Sequence, residues 1–206
     1  MTAPFASPVM LQGHGLRLEP LGLQHEPGLR AAAADGELWN LRVTSVPRPE
    51  DTAAYIAQAL DMQTRGERLP WAVVDANIGR VLGCTSYHDL IPAVRRVEIG
   101  WTWYARSVQR SHVNTAAKLL LMEHAFETLN CSVVGWRTDI LNLASQRAIE
   151  RLGARKDGVL RSHALRRDAS IRDTVMYSLL AAEWPAVRDR LRARLQAGAT
   201  PQPAGD

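Results

Sequence analysis

Apolar and polar residues alternate through LRLEPL (16–21), the period of two expected of a strand. HEPGLRAAAADGELWNL (25–41) and PEDTAAYIAQALDMQTRG (49–66) read as helices, the second opened by acids and stopped at Gly66. LPWAVVDA (69–76) and RVLGCTSYHDL (80–90) frame a turn at 77–79 and predict a hairpin. RRVEIGWTWYA (95–105) predicts another strand, followed by a polar loop and a helix from Asn114 to about Leu129. CSVVGWRTDI (131–140) is a strand, and NLASQRAIERLG (142–153) a helix that stops at Gly153. DGVLRSHAL (157–165) and IRDTVMYSLL (171–180) form a last hairpin, before a closing helix in EWPAVRDRLRARL (183–195). The order β-α-α-β-β-β-α-β-α-β-β-α predicts one mixed α/β domain over 14–197, with a flexible arm at 1–13 and a disordered tail at 198–206.

The helix after the polar loop is apolar well beyond one stripe, with Ala117, Leu120, Leu121 and Ala125 on one side and Leu119, Met122, Phe126 and Leu129 widening the arc. A buried helix whose first turn meets a polar loop, VQRSHVNT (108–115), suits an anion. The free N–H groups and the helix dipole both face that loop. Charge changes this picture little. The 25 basic and 21 acidic residues of the 206 give +4, with an isoelectric point near 9.5. That modest excess suits an anionic small molecule or an acidic protein and is too diffuse for a nucleic-acid stripe. Lys118 and Lys156 are the lysines; every other cationic side chain of this class is arginine.

Cys84 and Cys131 lie far apart in apolar runs without metal-ligand spacing, and read as reduced core thiols of a cytoplasmic protein with no metal. The opening residues lack the basic and apolar regions of a secretory signal, and no run of about eighteen apolar residues exists, so no membrane association is expected.

The element order, together with EIGWTWY (98–104), QRSHVNTAAKLLL (109–121) and TDILNLASQRAIERLGA (138–154), resembles the GNAT acetyltransferases, in particular their RimJ/RimL type. The resemblance covers about residues 14–185 and implies a GNAT-like fold with a mostly antiparallel central sheet flanked by helices. It also implies acetyl-CoA as cosubstrate and an amine acceptor, either a small molecule or a protein N-terminus; a homodimer is left open. In that family a loop of the form Q/R-x-x-G-x-G/A offers backbone N–H groups to the CoA pyrophosphate. Here it reads Gln109, Arg110, Ser111, His112, Val113, Asn114, leading into Thr115, with His112 in place of the central glycine. The ring of His112 either turns to solvent or meets a phosphate.

Acetyl transfer to an amine poses three proton and charge problems. The amine must lose a proton, which costs about 1 kcal/mol at pH 7 for an α-amine of pKa ~7.8 and about 4.6 kcal/mol for lysine at ~10.4. Glu98 interrupts an apolar strand and is the candidate base, acting through water; the competing reading is an ion pair with a neighbouring-strand arginine such as Arg137. By period two Glu98 shares a face with Gly100, Thr102 and Tyr104. The resemblance implies a bulge near Trp101, Thr102 and Trp103 whose N–H meets the thioester oxygen. It implies Ser145 as the acid for the leaving thiolate and Asn142 as a partner of the pantetheine arm, although a helix cap would look the same in sequence.

Trp39 and Trp71 are candidates for an acceptor cleft, and Arg161 and His163 for contacts to an acceptor carboxylate. The rival to an enzyme is a non-catalytic acyl-CoA-binding protein of the same fold, for which His112 in the phosphate loop is the best support.

Overall fold

The computed structural model describes residues 7–199 as one eight-stranded sheet with helices on both faces. The strands are β1 (Leu11–Gly13), β2 (Leu16–Pro20), β3 (Arg68–Asp75), β4 (Val81–Ile91), β5 (Arg96–Tyr104), β6 (Val133–Asp139), β7 (Arg155–Leu165) and β8 (Ile171–Leu180). They lie in the order β1-β2-β3-β4-β5-β6-β8-β7, and all neighbours are antiparallel except β5 and β6. Helices α1 (Glu26–Ala34) and α2 (Thr52–Thr64) cover one face; α3 (Val113–Glu123), α4 (Leu143–Leu152) and α5 (Trp184–Ala199) supply the other.

Strand alternation sorts the core into these two layers. Leu69, Trp71 and Val73 of β3 join Val97 and Ile99 of β5 under α3 and α5, whereas Ala72 and Val74 pack with Leu29 and Ile56 of α1 and α2. Helix α3 is buried almost throughout, as its apolar breadth predicts. It ends in a π-helical turn at His124–Thr128, closed by the Leu129 N–H on the His124 carbonyl at 2.9 Å.

Three elements differ from the sequence reading. The helix expected over 25–41 stops at Ala34, because Gly36 (φ +92°) and Glu37 (φ +49°) turn left-handed. The chain beyond makes one 3-10 turn at Leu38–Asn40 and then an irregular segment to Val46. Residues 11–13, placed in the arm, form the edge strand β1 against β2, and the Trp71 Nε1–H donates to the Val9 carbonyl at 2.7 Å. Residues 1–6 and 200–206, which include the start of the expected arm and most of the expected tail, lie outside the described residues; α5 itself runs past Gly198. Among the described residues no helix is long and apolar enough to cross a membrane.

The pairing of β5 with β6 covers only Arg96–Val133, Val97–Val134 and Glu98–Gly135, although both strands continue. Beyond Glu98 they part, and the opened fork is the floor of a cleft of about 1000 Å³. Behind β5, Gly83 of β4 lets the strands approach: a Cβ there would lie 2.1 Å from the Trp103 carbonyl oxygen and 2.8 Å from the Tyr104 Cα. Gly83→Ala is expected to lower stability by roughly 2–3 kcal/mol, read from the urea midpoint; a variant as stable as the parent would mean that β5 shifts freely.

Candidate functional site

Strand β5 carries a bulge where the fork opens. Cys84 faces Trp103 and Ser86 faces Gly100, so Thr85 alone stands opposite Trp101 and Thr102. Trp101 takes up the extra residue in a left-handed conformation (φ +51°), held by the Arg68 guanidinium, which lies 4.5 Å from its ring centroid. The extra residue reverses the facing of everything beyond it. Glu98 and Gly100 remain on the α1/α2 face, but Thr102 turns to Lys118 of α3, and Tyr104 joins the core beneath α3. Strict period-two counting therefore misplaces Thr102 and Tyr104.

Lys118 is 4% exposed, and its ammonium donates to the hydroxyls of Thr85 (2.9 Å) and Thr102. Among the described residues it has no ion-paired carboxylate, and burial pulls it down to about pKa 7. It lines the cleft beneath the bulge.

Glu98 is 2% exposed and is absent from the cleft lining. One carboxylate oxygen accepts from Arg96 at 2.8 Å and the other from Arg137 at 2.7 Å. The geometry is thus the ion pair with Arg137 that competed with the base reading, extended by a second arginine. The side chain that does face the cleft is His88, opposite Glu98 on β4. Its ring lies over Gly100, where a Cβ would approach His88 Nε2 to 2.3 Å. Burial lowers its pKa to about 4, against a smaller opposing pull from Glu98, so the ring is neutral at pH 7. Sequence reasoning missed His88, because a lone histidine in an alternating strand carries no signature.

Ligand atoms of His88, Asp89 and Glu98 lie within 4.8 Å of one another, as metal ligands do. The Arg137 guanidinium already pairs with both carboxylates, so the cationic place in this cluster is filled by the protein itself.

On the other side of the fork, Asn142 caps α4, its Oδ1 accepting from the Ser145 N–H at 3.0 Å. That leaves the Asn142 amide N–H₂ for a ligand. Asn142 and Ser145 both line the cleft, as do Trp101, Thr102, Trp103, Gln109, Arg110, Ser111, Asn114 and Thr115. His112 and Val113 do not. His112 is exposed, adopts an ordinary helical conformation (φ −68°, ψ −20°), and its Nε2 lies 3.9 Å from where a Gly15 Cβ would be, near the β1–β2 turn. No glycine is required at His112; the left-handed residue of the loop is Arg110 (φ +61°). Asn114 lies within α3, so no unusual backbone angle falls there. The N–H groups of Asn114 and Thr115 precede the first intrahelical bond, from Ala116 to His112.

Two more donors point to a ligand. The Tyr104 hydroxyl and Trp136 Nε1 are buried, have no hydrogen-bond partner, and belong to cleft-lining residues. Of the tryptophans proposed for the acceptor, Trp71 is fully buried in the core and Trp39 is not on the cleft wall. Arg161 and His163 also fall outside it; His163 instead bonds Thr174 at 3.1 Å.

The acetyltransferase (GNAT) domain profile matches residues 15–155. The Bacillus subtilis protein named "Putative ribosomal N-acetyltransferase YdaF" is 34% identical over 106 residues, 52% of this chain and 57% of that protein, so the chain spans little more than half the length of this relative. A GCN5-related N-acetyltransferase from Brucella melitensis superposes with a TM-score of 0.84 at 29% identity, covering 98% of this chain and 92% of the other. Mycobacterium smegmatis RimJ in complex with CoA-disulfide shares the fold (TM-score 0.75, 19% identity, 92% and 96% coverage).

Lys118 yields a stability test that needs no ligand. Its folded pKa, about 7, lies below the 10.5 of a lysine in water, so between those limits the unfolded chain holds the extra proton and stability rises with pH. Across that window the parent should gain on Lys118→Met by about 1.4 kcal/mol per pH unit, measured by urea unfolding at several pH values. A constant difference would show that the ammonium is hydrated.

Proposed function

The chain belongs to the GNAT acetyltransferase family, and from that premise we propose that it passes the acetyl group of acetyl-CoA directly to a primary amine, either of a small molecule or the α-amine of a protein N-terminus. The observation that carries the reading is the fork between β5 and β6, with a bulged strand on one side and the opening turn of α3 on the other. The first-turn N–H groups of α3, with Arg110 beside them, suit the pyrophosphate. Asn142 suits the pantetheine amides, and the unpartnered donors of Tyr104 and Trp136 give the buried part of the arm something to bond. The bulge at Trp101–Thr102 supplies an N–H for the carbonyl oxygen as it becomes an oxyanion, and Lys118 beneath Thr102 fixes that geometry.

The amine attacks the thioester carbon, its proton passes to a base, and the carbon–sulfur bond breaks with a proton delivered to sulfur. We assign the base to His88, on its place in the cleft beside Gly100; its ring is unprotonated, though burial makes it a weak base that takes the proton only once attack has made the ammonium acidic. Glu98 is a positioning residue that holds Arg96 and Arg137. Ser145, on the cleft wall at the first turn of α4, remains our candidate for protonating the thiolate. Cys84 and Cys131 are buried, burial raises both thiols, and neither lines the cleft, which favours direct transfer over a covalent thioester. His112, the feature that favoured a non-catalytic binder, stands away from the cleft, which leaves that reading without particular support. Acetyl transfer on these groups requires no metal.

A thiol-release assay against an amine panel tests the reading, and turnover with no amine would defeat it. His88→Asn and Ser145→Ala should each lower kcat by about 10- to 100-fold, at or below the low end of the usual acid–base contribution of roughly 10²–10⁴. Their acetyl-CoA affinity should stay close to the parent's; unchanged kcat in both would mean that solvent carries the protons. His112→Gly should change the Kd for CoA less than about twofold, and a larger change by calorimetry would bring the ring back to the phosphates.

A further inference from the structure

The stretch of the cleft lining from β6, β8 and the loops beside them is a wall of arginines. Arg42, Arg137, Arg166, Arg167 and Arg172 all line it, and Asp139 is the sole acid among the lining residues. Most of these cations are already spent. Arg42 pairs with Asp168 at 2.7 Å, and Arg137 is shared between Glu98 and Asp89. Arg166 takes both oxygens of Asp139, at 2.6 and 3.0 Å, and the Leu141 N–H donates to the same carboxylate. Arg167 bonds the Val46 carbonyl at 2.7 Å and the Trp39 carbonyl at 3.4 Å.

Arg172 is different. It stands near the start of β8, half-buried, on the strand face that also carries Thr174 and Met176, opposite the side of Val175 and Tyr177 that packs into the α3/α5 core. Its Nε is buried with no hydrogen-bond partner, and it forms none of the ion pairs found among the described residues. Its neighbours worsen its position: Arg166 and Arg137 repel it, and the one carboxylate that attracts it, Asp139, is saturated by Arg166. A guanidinium cannot relieve this by losing its proton, so its remaining relief is an anion.

We propose that Arg172 anchors a carboxylate of the acceptor, so that the substrate is an amine bearing an acidic group a few bonds from its nitrogen. A guanidinium fork matches a carboxylate with two parallel bonds. Arg167, bonded only to carbonyls, adds positive potential at the same wall. Polyamines and aminoglycoside-like polycations meet a like-charged surface there. The carboxylate has two sources, the α-carboxyl of a free amino acid or an aspartate or glutamate side chain close to a peptide N-terminus. The assignment of the acceptor to this wall rests on the acetyl-transfer reading above.

The test is a matched pair of acceptors in each arm, with the full chain. One arm compares free amino acids with their carboxamides; the other compares amidated peptides that begin Ala-Asp or Ala-Glu with Ala-Asn or Ala-Gln. The expected result is an acid-to-amide ratio in kcat/KM of about tenfold or more in one arm, and the arm that shows it identifies the source. In Arg172→Met that ratio should fall to about one, with partial recovery in Arg172→Lys. Equal rates for acid and amide in both arms of the parent, a ratio that survives Arg172→Met, or a polyamine as the best acceptor would overturn the proposal. Should no amine turn over, the acetyl-transfer reading fails on its own. The anion subsite is then decided by calorimetry with the same acid and amide pairs in the presence of CoA, where equal affinity overturns it. Parent discrimination does not depend on the variants folding, and circular dichroism melts establish whether they do.

Discussion

Glu98 sits at the last position where β5 and β6 are still partners, and its two oxygens hold one arginine from each strand. This buried ion triad is the vertex of the fork. A carboxylate out of water is costly alone, and removing one partner of such a group is destabilising by about 3–5 kcal/mol. The strands therefore stay together up to Glu98. Gly135 makes the arrangement fit: a Cβ there would lie 2.6 Å from Arg96 Nη2 and 2.8 Å from Glu98 Cγ. Beyond the vertex no β5–β6 pair is found among the described residues, and the cleft exists because the pairing stops.

The same triad explains why one acidic residue in an apolar strand invited a chemical reading. From sequence alone, a base and a buried ion-pair partner look identical, because both need a carboxylate where apolar residues surround it. Arg96 shares a strand face with Glu98 two residues on, but only the cross-strand register brings Arg137 to Glu98 and sets His88, which lines the cleft, opposite it. The family resemblance alone leads one to expect the bulge near Trp101 to Trp103, since one glycine in a strand, Gly100, does not fix where the extra residue falls. The left-handed residue is Trp101, sustained by Arg68 stacked on its ring. Local pattern therefore placed every strand that lines the fork but assigned the wrong face to Thr102 and Tyr104.

What was legible rests on local physics. The breadth of the apolar arc made α3 buried, Asn142 and Gly153 bounded α4, and the turn at 77–79 joined β3 to β4. What was illegible depends on contacts between distant residues. Strand β8 inserts between β6 and β7, so the last hairpin meets the sheet through its second strand, and this brings Arg166 and Arg172 to the cleft instead of Arg161 and His163. The irregular segment after α1 is then tied to the β7–β8 turn by Arg42 on Asp168 and Arg167 on Val46, which joins two loops over a hundred residues apart into one rim.

The arginine-rich composition, which carried no message by itself, acquires one in this setting. A buried cation without a counter-ion has two fates. A lysine can shed its proton, and Lys118 sits where it must: burial has already brought it to about neutrality, so it can hold Thr85 and Thr102 without a permanent charge beneath the bulge. An arginine keeps its charge under all ordinary conditions, so each one in the interior needs a partner. Arg68 has the Tyr55 and Ser86 hydroxyls and two aromatic faces. Arg96, Arg137 and Arg166 have carboxylates. Half-buried Arg172 has none of these. Arg68 also leaves its Nη1 unbonded, but Arg172 lacks hydroxyl, aromatic face and paired carboxylate alike, which marks it as a place for a charge the chain does not itself carry.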